Sequence, residues 1–182
     1  MTLSAQIAQA AADIAQGAAG TDPVQLADLV QELTLAGRIV TYGCGREGLM
    51  MRALTMRLYH LGLDAHVAGD MSCPPLAEGD LFLCASGPGN LSTVAALLGQ
   101  ARSAGARTAC VTGEPGGPDP MGCDLVLTIP AQTMAGAQTA LLPMGSVFEG
   151  AQFLIFEILV LTLRDRLLEN ADTMRARHTN ME

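Results

Sequence analysis

The run Arg38-Ile39-Val40-Thr41-Tyr42-Gly43-Cys44-Gly45-Arg46-Glu47-Gly48 decides how this chain folds. A short apolar segment gives way to a glycine-rich turn, and the turn opens a helical pattern over 47–61. Strand, tight turn and helix in that order are the first half of a βαβ unit. The same strand signal returns at 80–85, 107–112 and 124–129, and more weakly at 64–68. Each run is bounded by Gly, Pro or a charge, and helical patterns over 90–104 and 145–169 alternate with them. Near-continuous apolar strands alternating with helices form a parallel sheet covered on both faces. Upstream, the Ala-rich stretch 1–19 carries Ile7 and Ile14 on one helical face. Thr21-Asp22-Pro23 then supplies a cap and a first-turn proline for a second helix that stops at Gly37. The expected fold is one doubly wound α/β domain with an N-terminal helical hairpin: helices over 1–37, core over 38–170, tail over 171–182.

Composition narrows the functions such a domain can have. The chain has 182 residues, 49% of them hydrophobic, enough for one full core. A net charge of −8 and only 3% aromatic residues, with no Trp, argue against a nucleic-acid or anionic-membrane partner. All ten cations are arginines. Without lysine there is neither Schiff-base chemistry nor a P-loop. Cysteines 44, 73, 84, 110 and 123 form no CxxC pair and no zinc-type spacing with the three histidines. They read as buried thiols in a reducing cytosol, with no metal site. The first twenty residues carry no cation, so no secretory leader is expected. The longest apolar run, 153–163, is about half a membrane span and contains Glu157. A soluble cytoplasmic protein is expected.

Ligands of doubly wound sheets bind beyond the carboxyl ends of the strands. There the first strand delivers Gly43-x-Gly45-x-x-Gly48, which matches the dinucleotide fingerprint, with Asp70 placed as a ribose-binding acid. Any tight strand-to-helix turn also favours glycine. A second glycine-rich junction, Ser86-Gly87-Pro88-Gly89-Asn90-Leu91-Ser92-Thr93, carries three hydroxyls, and the last helix opens with Ser146-Val147-Phe148-Glu149. Two anion-cradling loops and one acid suit a small phosphorylated substrate better than a dinucleotide, with no cofactor. Ser146-x-x-Glu149 is also a capping-box pattern, which would occupy Glu149 with the helix start. His60 and His66, flanked by apolar residues, read as core or surface-edge histidines.

On these motifs the chain resembles the SIS (sugar isomerase) domain family, and within it the 6-phospho-3-hexuloisomerases. The similarity is carried by Gly43-x-Gly45-Arg46-x-Gly48 with Met56-Arg57-Leu58-x-His60-Leu61-Gly62, and by Glu78-Gly79-Asp80-Leu81 leading to Ser86-Gly87-x-Gly89. It is carried more specifically by Leu142-Pro143-Met144-Gly145-Ser146-Val147-Phe148-Glu149 and by the ending Ala176-Arg177-His178-Thr179-Asn180-Met181-Glu182. The resemblance implies a five-stranded parallel sheet in an α-β-α sandwich. It also implies carbonyl migration on an open-chain sugar phosphate through an enediol, without metal or cofactor. By the same resemblance Glu149 is the base and His178 an acid acting on the sugar oxygens. Gly45, Arg46, Glu47, Ser86, Gly87, Gly89, Asn90, Ser92 and Thr93 are the substrate-binding set. The implied assembly is a homo-oligomer, dimer or tetramer, with sites completed across subunits.

The chain departs from the family pattern at the phosphate loops. Glu47 stands where the family has Ser, and Pro88, Asn90 and Leu91 replace Ser, Glu and Thr. Hydroxyls are lost and a carboxylate is added where a phosphate would sit. Glu47 is expected either to line the ligand site and weaken phosphate binding, or to complement the helix dipole while pointing to solvent. The expected function is a sugar-phosphate isomerase; the alternative is a non-catalytic SIS module that binds a sugar or sugar phosphate.

Overall fold

In the computed structural model, which describes residues 1–181, the chain forms five parallel strands of three to six residues each, flanked by helices. The strands are β1 (Ile39–Gly43), β2 (Ala65–Val67), β3 (Leu81–Ala85), β4 (Arg107–Thr112) and β5 (Leu125–Thr128), in the order β2-β1-β3-β4-β5. Their sequences explain their place. In β3 all five residues are buried, because Leu81, Leu83 and Ala85 join one core while Phe82 and Cys84 join the other. The first core is closed by α2 (Pro23–Leu35), α3 (Gly45–His60) and α6 (Ser146–Arg166), through Leu33, Leu54, Phe148 and Leu159. The second is closed by α4 (Ser92–Ser103), through Val94 and Leu98. The result is the three-layer α/β fold that the sequence implies.

Both N-terminal helices form as expected. α1 (Leu3–Ala19) starts at Thr2, whose hydroxyl accepts from the Ala5 amide, and α2 starts at Asp22, whose carboxylate accepts from Val24. α1 lies along α6, at a separation set by Gly150: a Cβ there would come within 2.7 Å of Ile14. α6 is long and apolar enough to cross a membrane, yet half of it is buried within this fold, with Phe148, Ile155, Leu159 and Leu163 in the core.

Two short helices were not anticipated. α5 (Pro118–Met121) sits in the β4–β5 connection, and α7 (Ala171–Ala176) begins at Asn170, which forms a capping box with Thr173. The tail does not fray: Arg177 clasps the Glu169 carboxylate with two hydrogen bonds of 2.9 Å and donates to the His60 carbonyl. The final Glu182 of the tail motif lies outside the described residues.

One feature of the topology positions the site. From β1 the chain crosses by α3 to β2 on one side; from β3 it crosses by α4 to β4 on the other. The winding reverses between β1 and β3, which pair in register from Ile39↔Leu81 to Gly43↔Ala85. In doubly wound sheets of this strand order the ligand crevice opens at that reversal.

Candidate active site

At the carboxyl end of β1 the backbone turns sharply, and Gly48 packs against the Gly43 carbonyl so closely that any side chain there would collide. Gly43 and Gly48 are therefore accounted for by backbone packing and Gly45 by its left-handed backbone, φ 55°, while Asp70 pairs with Arg52 at 3.1 Å instead of reaching the turn. The turn delivers Arg46 and Glu47 in the first helical turn of α3. Glu47 crosses to the end of β3, where its Oε2 accepts a 2.8 Å hydrogen bond from the Gly87 amide. Its Oε1 lies so close that a Cβ on Gly87 would approach it to 2.6 Å. Arg46 turns the other way, pairing with Glu149 at 2.7 Å and donating to the Ser146 hydroxyl at 3.0 Å. Together with Pro88, Leu91 and Met144, these three charged residues line a cavity of about 250 Å³.

The geometry separates the two readings of each acid. α6 is capped by Gly145 without a side-chain bond, which leaves Glu149 beyond the capping position and its carboxylate on Arg46. The capping-box reading of Glu149 is thus overturned. Glu47 does not point to solvent either. Burial pushes its carboxyl up to about 7, the Gly87 amide working against that rise and the Glu149 charge adding to it.

The second loop is held from behind. Ser86 is fully buried and its hydroxyl donates to Asp119 at 2.6 Å, while the same carboxylate oxygen accepts the Leu91 amide at 2.7 Å. Asp119 is 2% exposed, and its own amide donates to the Gly89 carbonyl. Ser86 is therefore committed to the loop's shape and does not face the cavity. Asn90, Ser92 and Thr93 are exposed where α4 begins, and Leu91, its capping residue, makes no side-chain bond there. The cavity's outer wall, 130–145, has no regular structure. Gln132 accepts from the Thr139 and Ala140 amides, and Gln138 accepts the Met144 amide at 2.6 Å. Met144 takes a left-handed backbone, φ 58°, at the cavity's edge.

His178 lies elsewhere. Its ring stands 5.2 Å from that of His60, at the C-terminal end of α3, beside a hollow of about 410 Å³. Arg46 and Glu47 are at the other end of the same helix, roughly 20 Å away at 1.5 Å per residue. Within one chain His178 and Glu149 do not share a site. His60 is buried and His66 bonds Asp64 at 2.7 Å, as expected of structural histidines.

The donors that come closest to a metal set are Cys84, Cys110 and Cys123, whose sulfurs lie within 4.8 Å of one another. Cys84 and Cys110 are wholly buried neighbours across β3 and β4, facing apolar residues of α4. Their thiols rest on backbone carbonyls, as does that of Cys123 on the Asp119 carbonyl at 3.3 Å. The set fits the small, weakly polar filling of a core.

Asp119, Gln132 and Gln138 were not anticipated from sequence. Asp119 lies in a Gly/Pro-rich connection without periodicity, and the two glutamines act only through a loop whose path no pattern encodes.

A parallel sheet whose reversal point holds two carboxylates and an arginine around a small cavity defines an α/β protein with a polar candidate site at the switch of its winding. The chain belongs to the SIS domain family, whose model matches residues 32–149. It is 39% identical to the 3-hexulose-6-phosphate isomerase of Mycobacterium gastri, over 93% of this chain and 86% of that one. It is 34% identical to the enzyme of that name from Bacillus subtilis, over 87% and 85%. In structure it is similar to a Methanococcus jannaschii protein for which a 3-hexulose-6-phosphate isomerase function was inferred. The TM-score is 0.85 at 23% identity, covering 97% of this chain and 98% of the other.

Proposed function

We propose that this protein is a sugar-phosphate isomerase that moves a carbonyl between adjacent carbons, interconverting a 3-hexulose 6-phosphate and fructose 6-phosphate. The observation that carries the reading is Glu149: it stands in the cavity at the β1/β3 reversal, its carboxylate held by Arg46. The relatives' names and their coverage of nearly the whole chain support it. An enediol route needs a base that lifts a proton beside the carbonyl and returns it to the next carbon. Glu149 serves as that base, and the guanidinium of Arg46 holds it in place. The sugar chain lies between Glu47 and Glu149, beside the turns that carry Gly45, Gly87 and Gly89. The phosphate extends toward Asn90, Ser92, Thr93 and the first-turn amides of α4, where the helix dipole favours an anion. His178 would act from a second copy of the chain, in a cytoplasmic homo-oligomer.

Replacing Glu149 by Gln should lower turnover of hexulose 6-phosphate by roughly 10²–10⁴-fold, the range typical of proton-transfer catalysis. Turnover that survives the substitution would show that the proton is taken elsewhere.

A further inference from the structure

We propose that Glu47 is a second catalytic residue of this cavity, the acid that protonates the sugar's carbonyl oxygen while Glu149 removes the adjacent carbon-bound proton. The assignment rests on the isomerase reading above. Three observations carry it.

The first is placement. Glu47 and Glu149 come from different elements, α3 and α6, and line the same 250 Å³ cavity. The second is orientation. Glu47 is fixed by the Gly87 amide at 2.8 Å and its other oxygen packs close to that glycine, so the position of its carboxyl is set by the fold and not by chance rotation. The third is an asymmetry of charge. The groups that face Glu47 are Arg46 and Cys44 beside it, the Gly87 amide from the β3–α4 junction, and Glu149 from α6. The only cation among them, Arg46, is drawn to Glu149 at 2.7 Å and to Ser146. One carboxyl thus has an arginine, the other a single amide and a neighbouring negative charge. In such unequal surroundings Glu47 is the carboxyl whose protonated form is favoured. Burial raises Glu47 to about 7, so that both its forms are accessible near neutrality.

The proton inventory closes. Glu149 takes the proton from the carbon beside the carbonyl, and the electrons of that C–H bond form the carbon–carbon double bond. The carbonyl π electrons move onto oxygen, which takes the Glu47 proton, giving the enediol. In the second half, the hydroxyl on the adjacent carbon gives its proton to the Glu47 carboxylate as the new carbonyl forms. Glu149 then returns its proton to the former carbonyl carbon. Glu47 serves the two neighbouring oxygens in turn, and both residues end as they began.

The test is the pH profile of kcat/KM, together with exchange of the substrate's carbon-bound proton in deuterated water, for the wild-type protein, Glu47→Gln and Glu47→Ser. The wild type should lose kcat/KM as pH rises through about 7, when the Glu47 proton is lost. Both variants should fall by roughly 10²-fold or more and lose that alkaline limb. Glu47→Gln keeps an acceptor for the Gly87 amide, so its loss would not come from a misplaced loop. A variant as fast as wild type, or one that raises KM alone with the alkaline limb intact, overturns the assignment and leaves the isomerase reading standing. A wild-type profile level from neutral into alkaline pH overturns it without recourse to any variant. Absence of exchange and turnover in the wild type overturns both.

Discussion

Folding places the Glu47 carboxyl where ionising it is unfavourable, and stability should record this independently of catalysis. Its folded value of about 7 lies above the ordinary carboxylate value near 4.3 of an unfolded chain. Between those two values the native state holds a proton that the unfolded state has released. Stability should therefore decline as pH rises through that window and level off above it. Glu47→Gln removes the titration while keeping the Gly87 bond. The variant should match wild type in mild acid and be more stable near pH 8, by about 1–3 kcal/mol for a shift of this size at a partly exposed group. Melting curves at the two pH values check the sign. An advantage confined to acid would contradict the burial of this carboxyl. At the same scale, the placement of Arg46 and Glu47 was legible in the sequence, because spacing from a strand end to the first turn of a helix fixes where a side chain emerges. Glu149 follows a long irregular loop and was legible only as an acid in the motif that opens α6. Ser86 was not. A hydroxyl turns toward its best acceptor, and that acceptor, Asp119, is 33 residues further along the chain.

Among the elements, the strands were legible because a parallel strand buried on both faces must be apolar throughout, and charges or glycines mark its ends. The four-residue α5 is too short to show a period, and α7 betrayed itself only by Asn170 and Thr173 at its start. The place of His178 could not be read, because it depends on the Arg177–Glu169 clasp that turns the tail back along α3. Within α6 one residue departs from the element's apolar inner face. Gln152 is fully buried, and neither its amide nitrogen nor its oxygen has a hydrogen-bond partner among the described residues. Leaving such a group unpaired costs about 1–3 kcal/mol. Gln152→Leu, of similar size, should raise the urea midpoint by a corresponding amount. A lower midpoint would mean that the amide is bonded in solution.

For the molecule as a whole, the exposed side of α6 is the surface that stands out. Phe153, Leu154, Ile158 and Leu161 form a stripe along it, each between 40 and 49% exposed. Against a single chain this stripe faces water; against a second copy it would bury apolar area worth roughly 25 cal/mol per Å². Light scattering at micromolar concentration should give the mass of a dimer or tetramer, and Ile158→Asp should shift it toward the monomer. A wild-type monomer would leave α6 uncovered and deprive the cavity of His178 from a neighbouring chain. The Asp119 anchor bears on a different question, that of how such a protein changes over generations. Because the loop after β3 is held from behind by Asp119, whose carboxylate binds Ser86 and Leu91 and whose amide binds Gly89, its outward side chains are relieved of structural duty. Neither Pro88 nor Asn90 takes part in those bonds to Asp119. Substrate preference becomes open to drift and selection while the architecture is inherited intact.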